Sequence, residues 1–270
     1  MKNAGDARIY VMYYKEGRVL SLDSFYRPVL CGQSPAAPDS AFVRDDTGEN
    51  ISAKNEFYSE LTGIYWVWKN TRQDITGICH YRRYFTVFPE PWYYRLKYFI
   101  THPLKRQFKK NPLIYTNHLK KYTSWILSSE QAKELLSEYD MVLPRARIFR
   151  YSVQEHYRKY HCIGDFAIIE DVLSDKYPEM KAAWQQVIQG NTLYANNMFL
   201  AKDELYQEFM AWWFDVLFEF EERCKLENYE GYQKRILGFV AERLLTLWVA
   251  YKKPKVKELQ LLYFKSMKKD

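Results

Sequence analysis

No apolar run in this chain approaches the roughly 18 to 20 residues that a bilayer-spanning helix needs, so any membrane contact is expected to be peripheral. The amino terminus is too polar for a signal peptide, and a secretory leader is not expected. Cysteine is scarce. Cys31, Cys79, Cys162 and Cys224 lie far apart with no CxxC pair, which argues against a disulfide framework and a structural zinc site and makes a reducing cytoplasm the simplest setting. Zinc-finger spacing, an RNA-recognition motif and a glycine-arginine tract are all missing, so nucleic acid is not expected as a partner. Internal repeats and low-complexity tracts are missing too.

What is present is a core-forming composition. The 270 residues suffice for one large α/β domain, and a single domain over residues 1–270 is the expectation. The 24 tyrosines and 8 tryptophans favour half-wet surfaces, such as sugar-binding clefts or membrane interfaces. The formal charge of +7 is uneven: Lys97, Lys105, Arg106, Lys109, Lys110, Lys120 and Lys121 form one basic region and the stretch from Lys252 to Lys269 another. Anionic partners follow from that distribution.

Residues 8–14, rich in β-branched and aromatic side chains, read as a first strand. A polar, proline-bearing loop follows over 32–46, then a helix over 54–70 with Phe57, Leu61, Ile64, Tyr65 and Trp68 on one face. Residues 75–79 read as a buried strand, and strand, loop, helix, strand in that order predicts a mainly parallel sheet flanked by helices. The segment 89–122 breaks the pattern. It reads as a basic aromatic insertion, either facing a membrane through Trp92, Tyr93, Tyr94, Tyr98 and Phe99 or packed as a helical hairpin. Helices are predicted over 129–138, 152–161, 164–174 and 178–189, with a capping box at Ser152 and Glu155, and strands over 140–144 and 192–201. Two long apolar stripes within 203–251 predict a helical carboxyl-terminal part.

The strand over 75–79 leaves the core as His80-Tyr81-Arg82-Arg83, delivering three potential cations to a cleft at its carboxyl end. A phosphate or diphosphate is the natural ligand of such a cluster, although surface carboxylates could also pair with the arginines. His156 and His161 make only a weak metal pair, and ordinary exposed histidines are the expected explanation.

Asp45-Asp46-Thr47-Gly48-Glu49-Asn50-Ile51-Ser52, Glu60-Leu61-Thr62, Tyr65-Trp66-Val67-Trp68-Lys69-Asn70, His80-Tyr81-Arg82-Arg83-Tyr84-Phe85, Asn197-Met198-Phe199 and Glu242-Arg243-Leu244 together resemble a bacterial family. It is the family of capsular and exopolysaccharide biosynthesis proteins long carried as a domain of unknown function, and the likeness runs from Ile9 to about Trp248. The resemblance implies a GT-A-like glycosyltransferase moving a sugar from a nucleotide donor onto a capsular, exopolysaccharide or lipopolysaccharide glycan. Tyr14-Lys15 departs from the histidine-lysine pair with which the family usually ends its first strand.

A transferase must stabilise the charge of the leaving diphosphate with a metal or fixed cations. The chain has no Asp-x-Asp motif, and the adjacent carboxylates of Asp45-Asp46 would point to opposite sides of a strand. His80, Arg82 and Arg83 are therefore the expected donor-binding cations, with Mg or Mn left open. Asp46, Asn50 and Lys54 are further donor-binding candidates at a helix amino terminus, or they simply cap and turn the chain. For the base that takes the acceptor's proton, Asp165 and Glu242 are the candidates. Asp165 could instead cap a helix, and Glu242 could instead be a buried partner of Arg243 or Arg235. Asn196 and Asn197 either stitch a bulge or bind acceptor hydroxyls.

The partners expected are a UDP-linked sugar, with galactose in pyranose or furanose form, a lipid-linked or oligosaccharide acceptor, and the inner face of the plasma membrane. A non-catalytic nucleotide-sugar or polysaccharide-binding partner of an assembly complex is the competing reading.

Overall fold

The computed structural model describes residues 6–20, 24–32, 41–93, 96, 100 and 113–267. Tyr94, Lys97, Tyr98, Phe99, Lys105, Arg106, Lys109 and Lys110, part of the expected membrane-facing insertion, lie outside the described residues. The first expected strand is β1 (Ala7–Tyr13), whose residues alternate between two cores: Ile9, Val11 and Tyr13 enter one apolar cluster, Tyr10 and Met12 the other. That alternation is what a strand covered on both faces requires.

β1 pairs in parallel with β2 (Tyr26–Leu30) on one side and β4 (Ile75–His80) on the other, and β3 (Val43–Arg44) extends the parallel run beyond β2. The next strand reverses. β10 (Phe199–Lys202) runs antiparallel between β4 and β7 (Met141–Pro144), and β11 (Val256–Phe264) lies parallel to β7. Gly77 permits the crowding here, since a Cβ would sit 2.7 Å from Cγ1 of Ile9 and 2.8 Å from Cγ of Leu200.

β4 shares its edge. Its first residues pair with β10, whereas His80 pairs with Arg83 at the start of β5 (Arg83–Thr86), across a tight turn at Tyr81 and Arg82. β11 is shared likewise: residues 256–259 pair with β7, residues 260–263 with β5, and its other edge with β6 (Leu113–Thr116). The sheet therefore forks at His80 and is mixed, where the sequence predicts a mainly parallel one.

The helix expected over 54–70 is broken. A 3₁₀ turn at Ser52–Lys54 leads into α1 (Asn55–Tyr58), Ser59 adopts φ 51°, and α2 (Leu61–Asn70) begins anew. Nδ2 of Asn55 donates to the Ser59 carbonyl (2.7 Å) and to Oγ1 of Thr62 (2.9 Å), a side chain holding the break closed. The strand expected over 192–201 is likewise two pieces. β9 (Thr192–Leu193) pairs with β8 (Arg147–Ile148) in a separate ribbon, and Asn196 (φ 81°) and Asn197 (φ 48°) turn the chain into β10. Asparagine tolerates that left-handed backbone better than most residues.

α3 (Leu119–Thr123) and β6 make the latter part of the expected insertion integral to the domain, since Leu119 and Tyr122 are buried and β6 lies in the sheet. α4 (Ser129–Glu138) carries the complete capping box, between Ser128 and Gln131. α5 (Val153–Tyr160) has half of the one expected there: Oγ of Ser152 accepts the Glu155 N–H at 3.1 Å. α6 (Asp165–Lys176) and α7 (Lys181–Gln189) follow, then the two long helices, α8 (Asp203–Arg223) and α9 (Ile236–Lys252). Trp213 of α8 is fully buried and its indole donates to the Ala241 carbonyl of α9 at 3.1 Å. Truncating such a ring to alanine costs roughly 3–5 kcal/mol. No described helix is long and apolar enough to cross a membrane.

Candidate functional site

At the carboxyl ends of β1 and β4, beside the fork in the sheet, lies a cleft of about 830 Å³. Open α/β sheets present ligands at such a place. One wall is the β4–β5 hairpin, with His80, Tyr81, Arg82 and Arg83; another is built by α5 and α9, with His156, His161, Glu242 and Arg243. The break between α1 and α2 adds Ser59 and Glu60, and the β8 ribbon adds Arg147.

On the hairpin, the Arg82 guanidinium lies 4.9 Å from the Tyr81 ring centre and 5.7 Å from that of Tyr263, and donates to the Lys265 carbonyl at 3.1 Å. Arg83 lies 5.4 Å from the Tyr263 ring centre, and its buried Nε has no hydrogen-bond partner. Arg147 donates to Oδ1 of Asn196 at 3.4 Å. Among the described residues no carboxylate pairs with these three guanidiniums, whereas Arg235 pairs with Glu60 and Arg243 with Glu242. Buried unpaired donors also occur at Arg8, Arg145 and Arg243, so it is the missing carboxylates rather than the lone Nε that leave Arg82, Arg83 and Arg147 open to an anion.

His80 differs from the expected cation. A carbonyl can only accept, so the ring donates Nε2–H to the Asn196 carbonyl at 2.6 Å. Burial, reinforced by Arg83 and opposed by Glu60, pushes His80 below the ordinary histidine range, so the ring is neutral at pH 7 and holds the Asn196 turn.

The two asparagines divide the roles foreseen for both. Asn196 lines the cleft, with its N–H bound to Oε1 of Glu242 at 2.7 Å. Asn197 is a stitch, donating to Oε1 of Glu60 (3.0 Å) and the Gly238 carbonyl (3.1 Å).

Of the two carboxylates expected as base, Glu242 lines the cleft and Asp165 does not. Oε2 of Glu242 accepts from Arg243 at 3.0 Å, so with the Asn196 N–H on the other oxygen both of its oxygens are engaged. Asp165 is fully buried at the start of α6, where it accepts from Tyr157 (2.6 Å) and Tyr229. Burial raises its pKa, and the tyrosine hydroxyls pull the other way.

Asp46, Asn50 and Lys54 lie outside the cleft lining. Asp46 pairs with Arg44, Asn50 donates to the Gly48 carbonyl (3.0 Å) and accepts from Ser52 N–H (3.2 Å), and Lys54 pairs with Glu221 at 2.6 Å. The buried acid of this loop is Asp45, which accepts the Gly32 N–H at 3.0 Å and the Ser52 hydroxyl at 2.7 Å. The two neighbouring aspartates do point to different surroundings, one buried and one paired outward.

Arg147 and Arg235 are cleft residues that sequence reasoning missed as binding groups, and His156 and His161, expected to be exposed, are half-buried in the cleft lining. They lie in the β8 ribbon, the 3₁₀ turn before α9, the middle of α5 and the residue just after it, and only the tertiary fold brings them together. Among the described residues no three His, Cys, Asp or Glu side chains gather as a metal would require.

Residues 8–253 match the family described as a domain of unknown function, DUF4422. A comparison with curated proteins found no match. The solved apo structure of the WbbM bifunctional glycosyltransferase is similar, with 26% identity and a TM-score of 0.80, covering 96% of this chain and 45% of that one. The chain thus spans under half the length of the protein it matches.

Proposed function

From the premise that this chain belongs to the DUF4422 family, we propose that it is a glycosyltransferase of GT-A organisation, moving a hexose from a nucleotide donor onto a growing surface glycan. Its likeness to a bifunctional glycosyltransferase supports the reading, with this chain as the counterpart of one transferase unit. The observation that carries it is the trio Arg82, Arg83 and Arg147, guanidiniums in one cleft without carboxylate partners among the described residues.

A departing nucleoside diphosphate gathers negative charge, and planar guanidinium forks match its oxygens two at a time. The parallel run of β1, β2 and β3 offers its carboxyl ends to the nucleoside, and Asn196 offers an amide to sugar hydroxyls. The donor in this reading is UDP-galactose, pyranose or furanose, and the acceptor a lipid-linked or oligosaccharide capsular, exopolysaccharide or lipopolysaccharide glycan. Trp92 (73% exposed) and Ile100 (66% exposed) favour peripheral contact with the cytoplasmic face of a membrane.

Thermal-shift titration with UDP and a panel of UDP-sugars, with and without Mn or Mg, tests the assignment. A ligand at a hundred times its Kd adds about 2.7 kcal/mol, hence a rise of several degrees. That rise should shrink by half or more in Arg83→Ala at the same ligand concentration, and slow release of free UDP from the right donor separates a transferase from a binding module. If no sugar nucleotide stabilises the protein, and Arg82→Ala and Arg83→Ala behave as wild type, the reading fails.

A further inference from the structure

His156, within α5, and His161, the residue that follows its last turn, sit on one wall of the cleft, and their hydrogen bonds settle which nitrogen of each ring carries the proton. Nε2 of Gln233 donates to the Tyr160 carbonyl at 2.9 Å, which orients the amide so that its oxygen faces His161. Nδ1 of His161 lies 3.1 Å from that oxygen and must donate to it, leaving Nε2 with a free lone pair. For His156 the logic runs the other way. Its Nδ1 lies 3.4 Å from Nη2 of Arg243, a group that can only donate, so Nδ1 accepts and Nε2 carries the hydrogen.

Both rings are also clamped. His161 lies between Phe239 (centroids 4.1 Å apart) and Tyr157 (4.7 Å), and His156 stacks on Phe149 at 4.0 Å and 12°. One wall therefore presents a fixed imidazole acceptor and a fixed imidazole donor. A sugar carrying two neighbouring hydroxyls needs that complement, because each hydroxyl both gives and accepts a hydrogen bond.

We propose that His156 and His161 form the acceptor-sugar subsite, in which Nε2 of His161 takes the proton of the attacking hydroxyl while Nε2–H of His156 holds a neighbouring hydroxyl oxygen. The inference rests on the glycosyltransferase reading and deepens it. The hydroxyl oxygen forms its bond to the anomeric carbon as the bond from that carbon to the diphosphate breaks. The bonding pair leaves with the nucleoside diphosphate toward Arg82 and Arg83, and the proton passes to His161, which later returns it to solvent. In-line displacement of this kind inverts the anomeric centre.

Charge around the ring favours a neutral base. Burial lowers the His161 pKa, and Arg243 of α9 adds to that, while the Gln233 hydrogen bond and Glu242 oppose it. Tyr157 of α5 packs against the ring, His156 of α5 is close enough to interact with it electrostatically, and Tyr160 and Tyr232 line the same cleft. Glu242, with both oxygens engaged by Arg243 and Asn196, is a positioning residue here.

The test has two arms. Selective ¹⁵N-histidine labelling of the whole protein, with only 5 histidines to assign, reads the tautomers directly: Nδ1–H for His161 and Nε2–H for His156 at pH 7. An Nε2–H or doubly protonated His161 overturns the proposal whatever the reaction turns out to be. The second arm measures UDP release from UDP-galactose in His161→Gln and in Gln233→Leu, which leaves the ring intact but removes what orients it. His161→Gln should lower kcat about 100-fold, the low end of general-base contributions, with the UDP-induced thermal shift unchanged and the acid limb of the pH–rate profile gone. Gln233→Leu should lower kcat less, without changing UDP binding. Unchanged kcat in both folded variants overturns the base assignment alone. A wild-type protein that binds no UDP sinks the transferase reading, and this base with it.

Discussion

The two principal walls of the cleft both display arginine, yet they treat its charge in opposite ways. On the wall of α5 and α9, Arg243 is 1% exposed, bound to Glu242, to the Phe239 carbonyl and to His156, and packed over Tyr157 at 4.8 Å. On the hairpin wall, Arg83 has an aromatic ring beneath it and no acid, and one of its nitrogens is buried unpaired. The first charge has its carboxylate within the protein, although the Arg243 Nε, like that of Arg83, is buried without a partner. The second has no carboxylate among the described residues, which is why the hairpin carries the donor diphosphate in the proposed function and the helical wall carries geometry.

The largest effect should come from breaking the carboxylate-paired wall. Glu242→Ala leaves the Arg243 guanidinium buried with only neutral partners, and stranding a buried charge costs about 3–5 kcal/mol. Urea denaturation should show the midpoint fall accordingly. A variant that unfolds at the wild-type urea concentration would erase the distinction between the walls.

Arg83→Ala should do the reverse. Loss of charge-assisted hydrogen bonds to a diphosphate, about 1.5–3 kcal/mol, corresponds to roughly tenfold to a hundredfold weaker UDP binding by calorimetry. Folding stability should stay within about 0.5 kcal/mol of wild type. A large stability loss would place Arg83 among the structural cations.

The helical wall should also be the pH-sensitive one. Burial, with Arg243 and His161 close by, pushes His156 down to about 4. The unfolded chain takes up that proton near pH 6.5, while the folded chain does so only near 4. This contribution is therefore fully present above the unfolded value and is lost as pH falls through the window. It amounts to about 1 kcal/mol once solvent screening is allowed for. The melting temperature should fall between pH 7 and pH 5, with a shallower slope in His156→Gln; equal slopes would count against the assignment.

The walls also differ in how far the sequence discloses them. The hairpin wall is readable because it is local: an apolar strand and the cations that end it are contiguous, from Ile75 to Arg83. The helical wall is assembled from α5, the turn before α9 and α9 itself, and nothing in the spacing of His161, Gln233 and Glu242 announces that they meet. The fold divides in the same manner. β1, β4, β7, α8 and α9 follow from apolar periodicity, whereas β11 is hidden among the lysines that flank it, although Leu259, Leu261, Leu262 and Phe264 are buried. Where the pattern misleads, at Ser59 and at Asn196–Asn197, the backbone enters left-handed conformations that the resemblance to a regular helix or strand conceals, and both breaks border the cleft or its floor.

Lys54 offers the finest test, because sequence reasoning places it on the donor and the structure places it on Glu221. Its ion pair is 2.6 Å long but its side chain is 44% exposed, and pairs so open to water contribute about 0–1 kcal/mol. Lys54→Ala should therefore lower stability by no more than that and leave UDP binding untouched. Asp46→Ala, which removes the partner of Arg44, should behave alike. If either substitution weakened UDP binding tenfold while the fold stayed intact, the donor site would have to extend past the cleft to the loop after β3, and paired cations would no longer be separable from binding ones.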